Sequence, residues 1–239
     1  MSHTVRNHRA FRRAVVPLLL TVAALVMPAV ARGAATTEPA KPDRWEKAVS
    51  EFEKWDSKNS FPKDAVLFVG SSSVVRWPTR ECFPKFDVIN RGFGGSQTAD
   101  VNRYADRVVT PYRPKVIVFY AGDNDIAAGK SPQEVFDNFK AFVEFVQRKL
   151  PGTPIIYIPI KPSNARWKLW PTMQEANAKI EAFTRDNAKL HYADIVAPML
   201  GPDGTPRGEL FAGDGLHLSD AGYKVWTDIL TPLIEAAMK

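Results

Sequence analysis

Lys115-Val116-Ile117-Val118-Phe119-Tyr120-Ala121-Gly122-Asp123-Asn124-Asp125 is the stretch that decides the fold. Four consecutive branched or aromatic residues, Val116 to Phe119, leave no polar face. Such a strand needs cover on both sides, the situation inside a parallel sheet with a layer of helices on each face. The run stops at Gly122, and polar residues follow at once. Four more short runs have the same character and are bounded by Gly, Pro or Asp: residues 65–70, 87–91, 154–160 and 192–196. Helical periodicity fills the intervals, over 44–58, 98–109, 132–150 and 171–189, and over 219–238 at the end. Ser131-Pro132 and Ser219 are expected to start helices with a hydroxyl cap. Strand and helix therefore alternate. The expected fold is α/β, a three-layer αβα sandwich around a five-stranded parallel sheet, in one domain over residues 43–239.

Outward from that domain, the amino terminus is of a different kind. Arg6, Arg9, Arg12 and Arg13 precede an apolar run from Ala14 to Val30, and Ala29-Val30-Ala31 has the small-x-small form of a signal-peptidase site. Residues 1–31 read as a secretory leader. The run is near the lower limit of about 17 residues for a spanning helix, so an uncleaved anchor is the alternative; Pro17 and Pro28 favour cleavage. Residues 32–42, rich in Ala, Thr, Pro and Glu, read as a flexible linker. Four of the net +6 charges lie in residues 1–31, which leaves +2 for the rest. With so little excess charge and no long basic run, nucleic acid is not an expected partner. The expected location is the periplasm or the exterior, with no stable membrane anchor after cleavage. Cys82, the single cysteine, cannot form an internal disulfide and reads as a small, buried apolar residue.

In a parallel sheet the working site lies beyond the carboxyl ends of the strands. Gly70-Ser71-Ser72-Ser73, Gly92-Phe93-Gly94-Gly95 and Gly122-Asp123-Asn124-Asp125 each begin where one of the first three strands stops, so topology brings three distant segments to one rim. A serine needs a base to become a nucleophile. Four histidines are present, and His3 and His8 fall in the leader, leaving His191 and His217. His191 stands at the start of an expected strand, away from the rim loops. His217 closes Asp214-Gly215-Leu216-His217, a spacing that sets a carboxylate beside an imidazole. Gly94 and Gly95 let backbone N–H groups approach a ligand, and Asn124 offers a side-chain amide, both suited to an oxyanion. From the residues alone, which of the three serines attacks stays open.

The four blocks, in order and wording, resemble those of the SGNH superfamily, also called the GDSL hydrolases. Phe68-Val69-Gly70-Ser71-Ser72 is similar to its first block, Arg91-Gly92-Phe93-Gly94-Gly95 to its second, Gly122-Asp123-Asn124-Asp125 to its third, and Asp214-Gly215-Leu216-His217-Leu218 to its fourth. The resemblance implies a flavodoxin-like sandwich and a serine esterase or acylhydrolase with no metal or organic cofactor. It implies Ser72 as nucleophile, His217 as base and Asp214 as its support, with the Ser72 backbone, Gly95 and Asn124 as the oxyanion hole. One departure is visible: Ser71 stands where the family usually has Asp.

Substrate is less legible. Trp167 and Trp170, after the fourth strand, are expected at the rim as a platform for a sugar or acyl chain. Small-molecule, glycan or lipid esters are the expected partners, with short-chain or carbohydrate acetyl esters preferred. Two other classes of function remain: a metal-dependent phosphoesterase, which the acidic third block suggests but the shortage of histidines disfavours, and a catalytically silent binding module of the envelope.

Overall fold

The computed structural model describes Met1 and residues 43–239. The expected leader and linker, 1–31 and 32–42, lie outside the described residues apart from Met1. Five parallel strands, β1 Val66–Gly70, β2 Val88–Gly92, β3 Val116–Tyr120, β4 Ile155–Tyr157 and β5 Leu190–Tyr192, form one sheet in the order β2-β1-β3-β4-β5. In chain order the helices are α1 Glu46–Asp56, α2 Ser72–Val75, α3 Thr79–Cys82, α4 Thr98–Val108, α5 Asp123–Ala127, α6 Pro132–Lys149, α7 Trp170–Arg185, α8 Val196–Met199 and α9 Asp220–Ala237.

The period of two along each strand divides the core into two halves. Leu67, Val69, Ile117, Phe119, Ile155 and Tyr157 pack with residues of α1, α4, α6 and α7. Val66, Phe68, Val116, Val118, Tyr120 and Ile156 pack with residues of α2, α8 and α9. Every residue of β1 and β3 is buried, which is why these strands carry no polar alternation. Phe119 lies against Phe139 and Phe142 of α6 at 5.4 and 4.6 Å between ring centroids. A buried aromatic of this kind contributes roughly 1.5–3 kcal/mol by area alone, and truncating it to Ala costs about 3–5 kcal/mol.

Both expected caps form. The Ser131 hydroxyl accepts from the Glu134 backbone N–H at 3.2 Å while the Glu134 carboxylate accepts from the Ser131 N–H at 2.8 Å, a reciprocal box at the start of α6. At α9 the Ser219 hydroxyl accepts from the Gly222 N–H at 3.3 Å.

The short helices α2, α3, α5 and α8 were not expected, and three of the expected elements depart from their expected bounds by three residues or more at one end. Strand β4 ends at Tyr157 rather than at 160, because the Asn177 carboxamide takes both backbone groups of Ile160, at 2.8 and 2.9 Å, in place of a neighbouring strand. Strand β5 occupies Leu190–Tyr192 rather than 192–196. Pairing with β4 sets that register, and the Asp194 carboxylate accepts the Val196 N–H at 3.1 Å, turning the chain into α8. Helix α7 stops at Arg185, short of 189; a turn in which the Asn187 carboxamide accepts the Lys189 N–H leads into β5. Cys82 is free and half-buried at the end of α3. Among the described residues no helix is long and apolar enough to cross a membrane.

Register fixes the rim. Gly70 pairs with Gly92 on one side and with Tyr120 on the other, so β1, β2 and β3 end at one level. The loops are then laced together, Phe93 N–H to Gly70 C=O at 2.9 Å and Ser71 N–H to Tyr120 C=O at 3.0 Å. Gly70 has φ +141, and a Cβ there would fall 1.8 Å from the Tyr120 carbonyl oxygen, so no other residue fits.

Candidate active site

The three consecutive serines have three different surroundings. Ser71 is fully buried, its backbone tied to β3 and its hydroxyl without a hydrogen-bond partner among the described residues. Ser73 is fully buried as well; its hydroxyl accepts from Lys161 Nζ at 3.3 Å and its carbonyl from the Tyr223 hydroxyl at 2.9 Å. Ser72, the first residue of α2, is half-buried, and its Oγ lies 3.0 Å from His217 Nε2. As the first residue of a helix, Ser72 has a backbone N–H with no acceptor inside that helix.

His217 sits in the loop before α9, and its Nδ1 lies 2.6 Å from Asp214 Oδ2. The other carboxylate oxygen, Oδ1, accepts the backbone N–H groups of Leu216 and His217, each at 2.9 Å. These bonds hold the Asp214 carboxyl far below the usual carboxylate range, the contact with the His217 ring first and the two amides next. Asp214 is thus an anion that fixes the ring by Nδ1 and leaves Nε2 toward Ser72. His191 lies in β5 at the far edge of the sheet, and burial together with the charge of Lys189 holds its imidazole below the usual value.

The second and third blocks join through side chains. Asn124 Nδ2 donates to the Ser96 carbonyl at 3.0 Å, next to Gly95, which has φ +75 in the loop after β2. Asp125, fully buried, accepts the Thr98 N–H with both oxygens at 3.2 and 3.0 Å and so caps α4. Burial pushes its carboxyl up despite that bond. The Gly94 carbonyl is taken by Trp45 Nε1 at 3.0 Å, a contact from the segment before α1.

Two residues at this rim were not singled out in the sequence, Lys161 and Arg166, in the chain that follows β4. Lys161, 1% exposed, reaches Tyr120 Oη at 2.9 Å and Asp123 Oδ2 at 3.1 Å in addition to Ser73. Arg166 approaches Asp123 Oδ2 at 3.2 Å with one nitrogen and donates to Asn124 Oδ1 at 3.0 Å with the other. Burial would raise the Asp123 carboxyl, but the charges of Lys161 and Arg166 outweigh it and keep it below its ordinary value. The signal available in the sequence was a basic residue directly after a buried apolar run, in Ile158-Pro159-Ile160-Lys161.

The tryptophan pair is not the open platform expected. Trp170 is 5% exposed and belongs to the core, and Trp167, half-buried, stacks on it at 5.9 Å with 14° between the planes. Among the described residues no group of three or more His, Cys, Asp or Glu side chains is gathered as a metal would need.

Residues 69–225, more than half of the chain, match the GDSL-like Lipase/Acylhydrolase family. Solved structures agree in fold. A GDSL-like lipase from Bacteroides thetaiotaomicron VPI-5482 superposes with a TM-score of 0.68 at 21% identity, covering 79% of this chain and 98% of its own. A carbohydrate esterase family 3 protein from Talaromyces cellulolyticus gives 0.61 at 17% identity, covering 72% and 97%. A member of the lipolytic protein G-D-S-L family from Veillonella parvula DSM 2008 gives 0.59 at 16% identity, covering 71% and 97%. No curated protein matches the chain.

Proposed function

The chain belongs to the GDSL-like Lipase/Acylhydrolase family and is an ester-hydrolysing enzyme, and from that premise we propose that it cleaves carboxylic esters by a Ser72–His217–Asp214 triad through an acyl-enzyme. The observation that carries the reading is the unbroken contact chain from Ser72 Oγ to His217 Nε2 at 3.0 Å and from His217 Nδ1 to Asp214 Oδ2 at 2.6 Å. His217 takes the Ser72 proton as Oγ attacks the ester carbonyl, and Asp214 steadies the imidazolium that forms. Negative charge then builds on the carbonyl oxygen, which the N–H groups of Ser72 and Gly95 and the Asn124 amide receive. Collapse of the tetrahedral intermediate expels the alcohol, which takes the proton back from His217. Water enters by the same route in reverse and releases the acid. No step calls for a metal or an organic cofactor.

Short-chain or carbohydrate acetyl esters are the substrate class we favour, a reading supported by the fold shared with the Talaromyces carbohydrate esterase. The basic, apolar leader and its Ala29-Val30-Ala31 site support export, with the mature chain free of a membrane anchor. Protein recovered from its native host should begin near Arg32 or Ala34 by mass spectrometry; Met1 retained on membrane-bound material replaces export with anchoring.

A fluorophosphonate probe tests the chemistry. The parent should label on Ser72 in the presence of EDTA, and a panel of acetylated sugars and chromogenic esters of rising chain length should show turnover that falls as the acyl chain grows. Absence of labelling in a protein that still hydrolyses esters removes the serine mechanism.

A further inference from the structure

The network beneath the rim is larger than the proposed triad needs. Asp123 is 4% exposed and Lys161 1%, and burying two such charges is costly unless both are well paired. Counting Asp123 as −1 and Lys161 and Arg166 as +1 each, the group carries a net positive charge on the Asn124 side of the site. Arg166 is its outer member. Its two terminal nitrogens divide between successive residues, one to Asp123 and the other to the Asn124 carboxamide oxygen.

That division settles the carboxamide. An Asn side chain has an acceptor end and a donor end that can exchange by a half turn. Arg166 offers only donors, so Oδ1 must face it; the Ser96 carbonyl offers only an acceptor, so Nδ2 must face that. Nδ2 has two hydrogens. One is spent on Ser96, and the second is left for another acceptor.

We propose that Arg166, braced by the buried Asp123–Lys161 pair, is a positioning residue that locks the Asn124 amide with its second Nδ2 hydrogen available to the substrate's carbonyl oxygen. This rests on the role of Asn124 in the serine-esterase reading above. Arg166 acts at a distance from the reacting atoms, and only through the orientation of the Asn124 amide. A lysine at 166 keeps the charge but lacks the planar fork that serves both partners.

The test is a double-mutant cycle between Arg166→Met and Asn124→Ala, read as kcat and KM on a chromogenic acetyl ester. Arg166→Met should lower kcat roughly 10- to 100-fold, less than loss of the oxyanion donor itself, with KM within about threefold. Introduced into Asn124→Ala, the same change should alter kcat by less than about twofold, because its route of action is gone. Arg166→Lys should fall between Arg166→Met and the parent, and it supplies the cycle if Arg166→Met lacks the parent's circular dichroism. Multiplying losses in the double variant, or an effect on KM alone, overturns the proposal. Failure of the underlying reading looks different: Ser72→Ala would then keep its activity, whatever Arg166 does.

Discussion

Ser72 and Ser73 are chain neighbours with opposite surroundings: the hydroxyl of Ser72 faces His217 at 3.0 Å, and that of Ser73 faces Lys161 at 3.3 Å inside the protein. Ser72→Ala should therefore lower kcat by more than about 10⁴-fold. Ser73→Ala should keep turnover within about tenfold and lower the thermal midpoint, since it leaves a buried ammonium with one partner fewer. Steady-state kinetics with differential scanning fluorimetry separates the two. A Ser73→Ala protein as inactive as Ser72→Ala would shift the chemistry one residue along.

The two histidines of the domain give a second contrast. His217→Ala should nearly abolish hydrolysis, while His191→Ala, in β5, should stay within a few-fold of the parent. Asp214→Asn should slow kcat roughly 10²- to 10⁴-fold, because the amide cannot hold the ring or its positive charge as the carboxylate does. A His217→Ala protein with parental activity and an intact circular dichroism spectrum refutes the triad.

On the role proposed above, Asn124→Ala removes an amide that acts on charge present only in the transition state. We expect kcat to fall roughly 10²- to 10³-fold with KM little changed. A loss confined to KM would make Asn124 a binding residue for the ground state.

Asp123 predicts a pH signature in stability. Its folded carboxyl lies below the ordinary value, since the cations of Lys161 and Arg166 outweigh the effect of burial. Its contribution is fully present above the unfolded value of about 3.9, and is lost as pH falls through the lower folded value. Asp123→Asn should cost about 3–5 kcal/mol at pH 7, where Lys161 is left buried with no counter-charge. The gap to the parent should narrow below about pH 4. Urea unfolding across pH 3–7 reads both, and a gap independent of pH would mean that Asp123 is not ionised in the folded protein.

What the sequence disclosed and what it hid divide along a physical line. Val116 to Tyr120 announces a doubly covered strand because burial on both faces removes every polar residue, and the rim positions of Gly70, Gly92 and Gly122 follow from parallel topology. Asp214 and His217 are legible because they meet through a local spacing of three. Arg166 and Lys161 are not, since their partners Asn124, Asp123 and Ser73 lie 38 to 88 residues away and no periodicity encodes such pairs. The early end of β4 was hidden for the same reason, because it depends on Asn177, 17 residues on, replacing a strand partner with a carboxamide. The burial of Trp170 was not legible because an aromatic beside a helix start reads equally as surface or as core.

The reach from Ser72 to His217 spans 145 residues, and all five strands are finished by Tyr192, before the histidine appears in the chain. On the assignment proposed above, a polypeptide interrupted after β5 carries the serine, the sheet and the second and third blocks, yet has no base. Hydrolysis then cannot begin until the segment carrying His217 has been made and folded back onto the rim. Ester turnover becomes a report that the loop carrying His217, which leads into α9, has closed against the loop after β1, which makes the enzyme its own test for that closure.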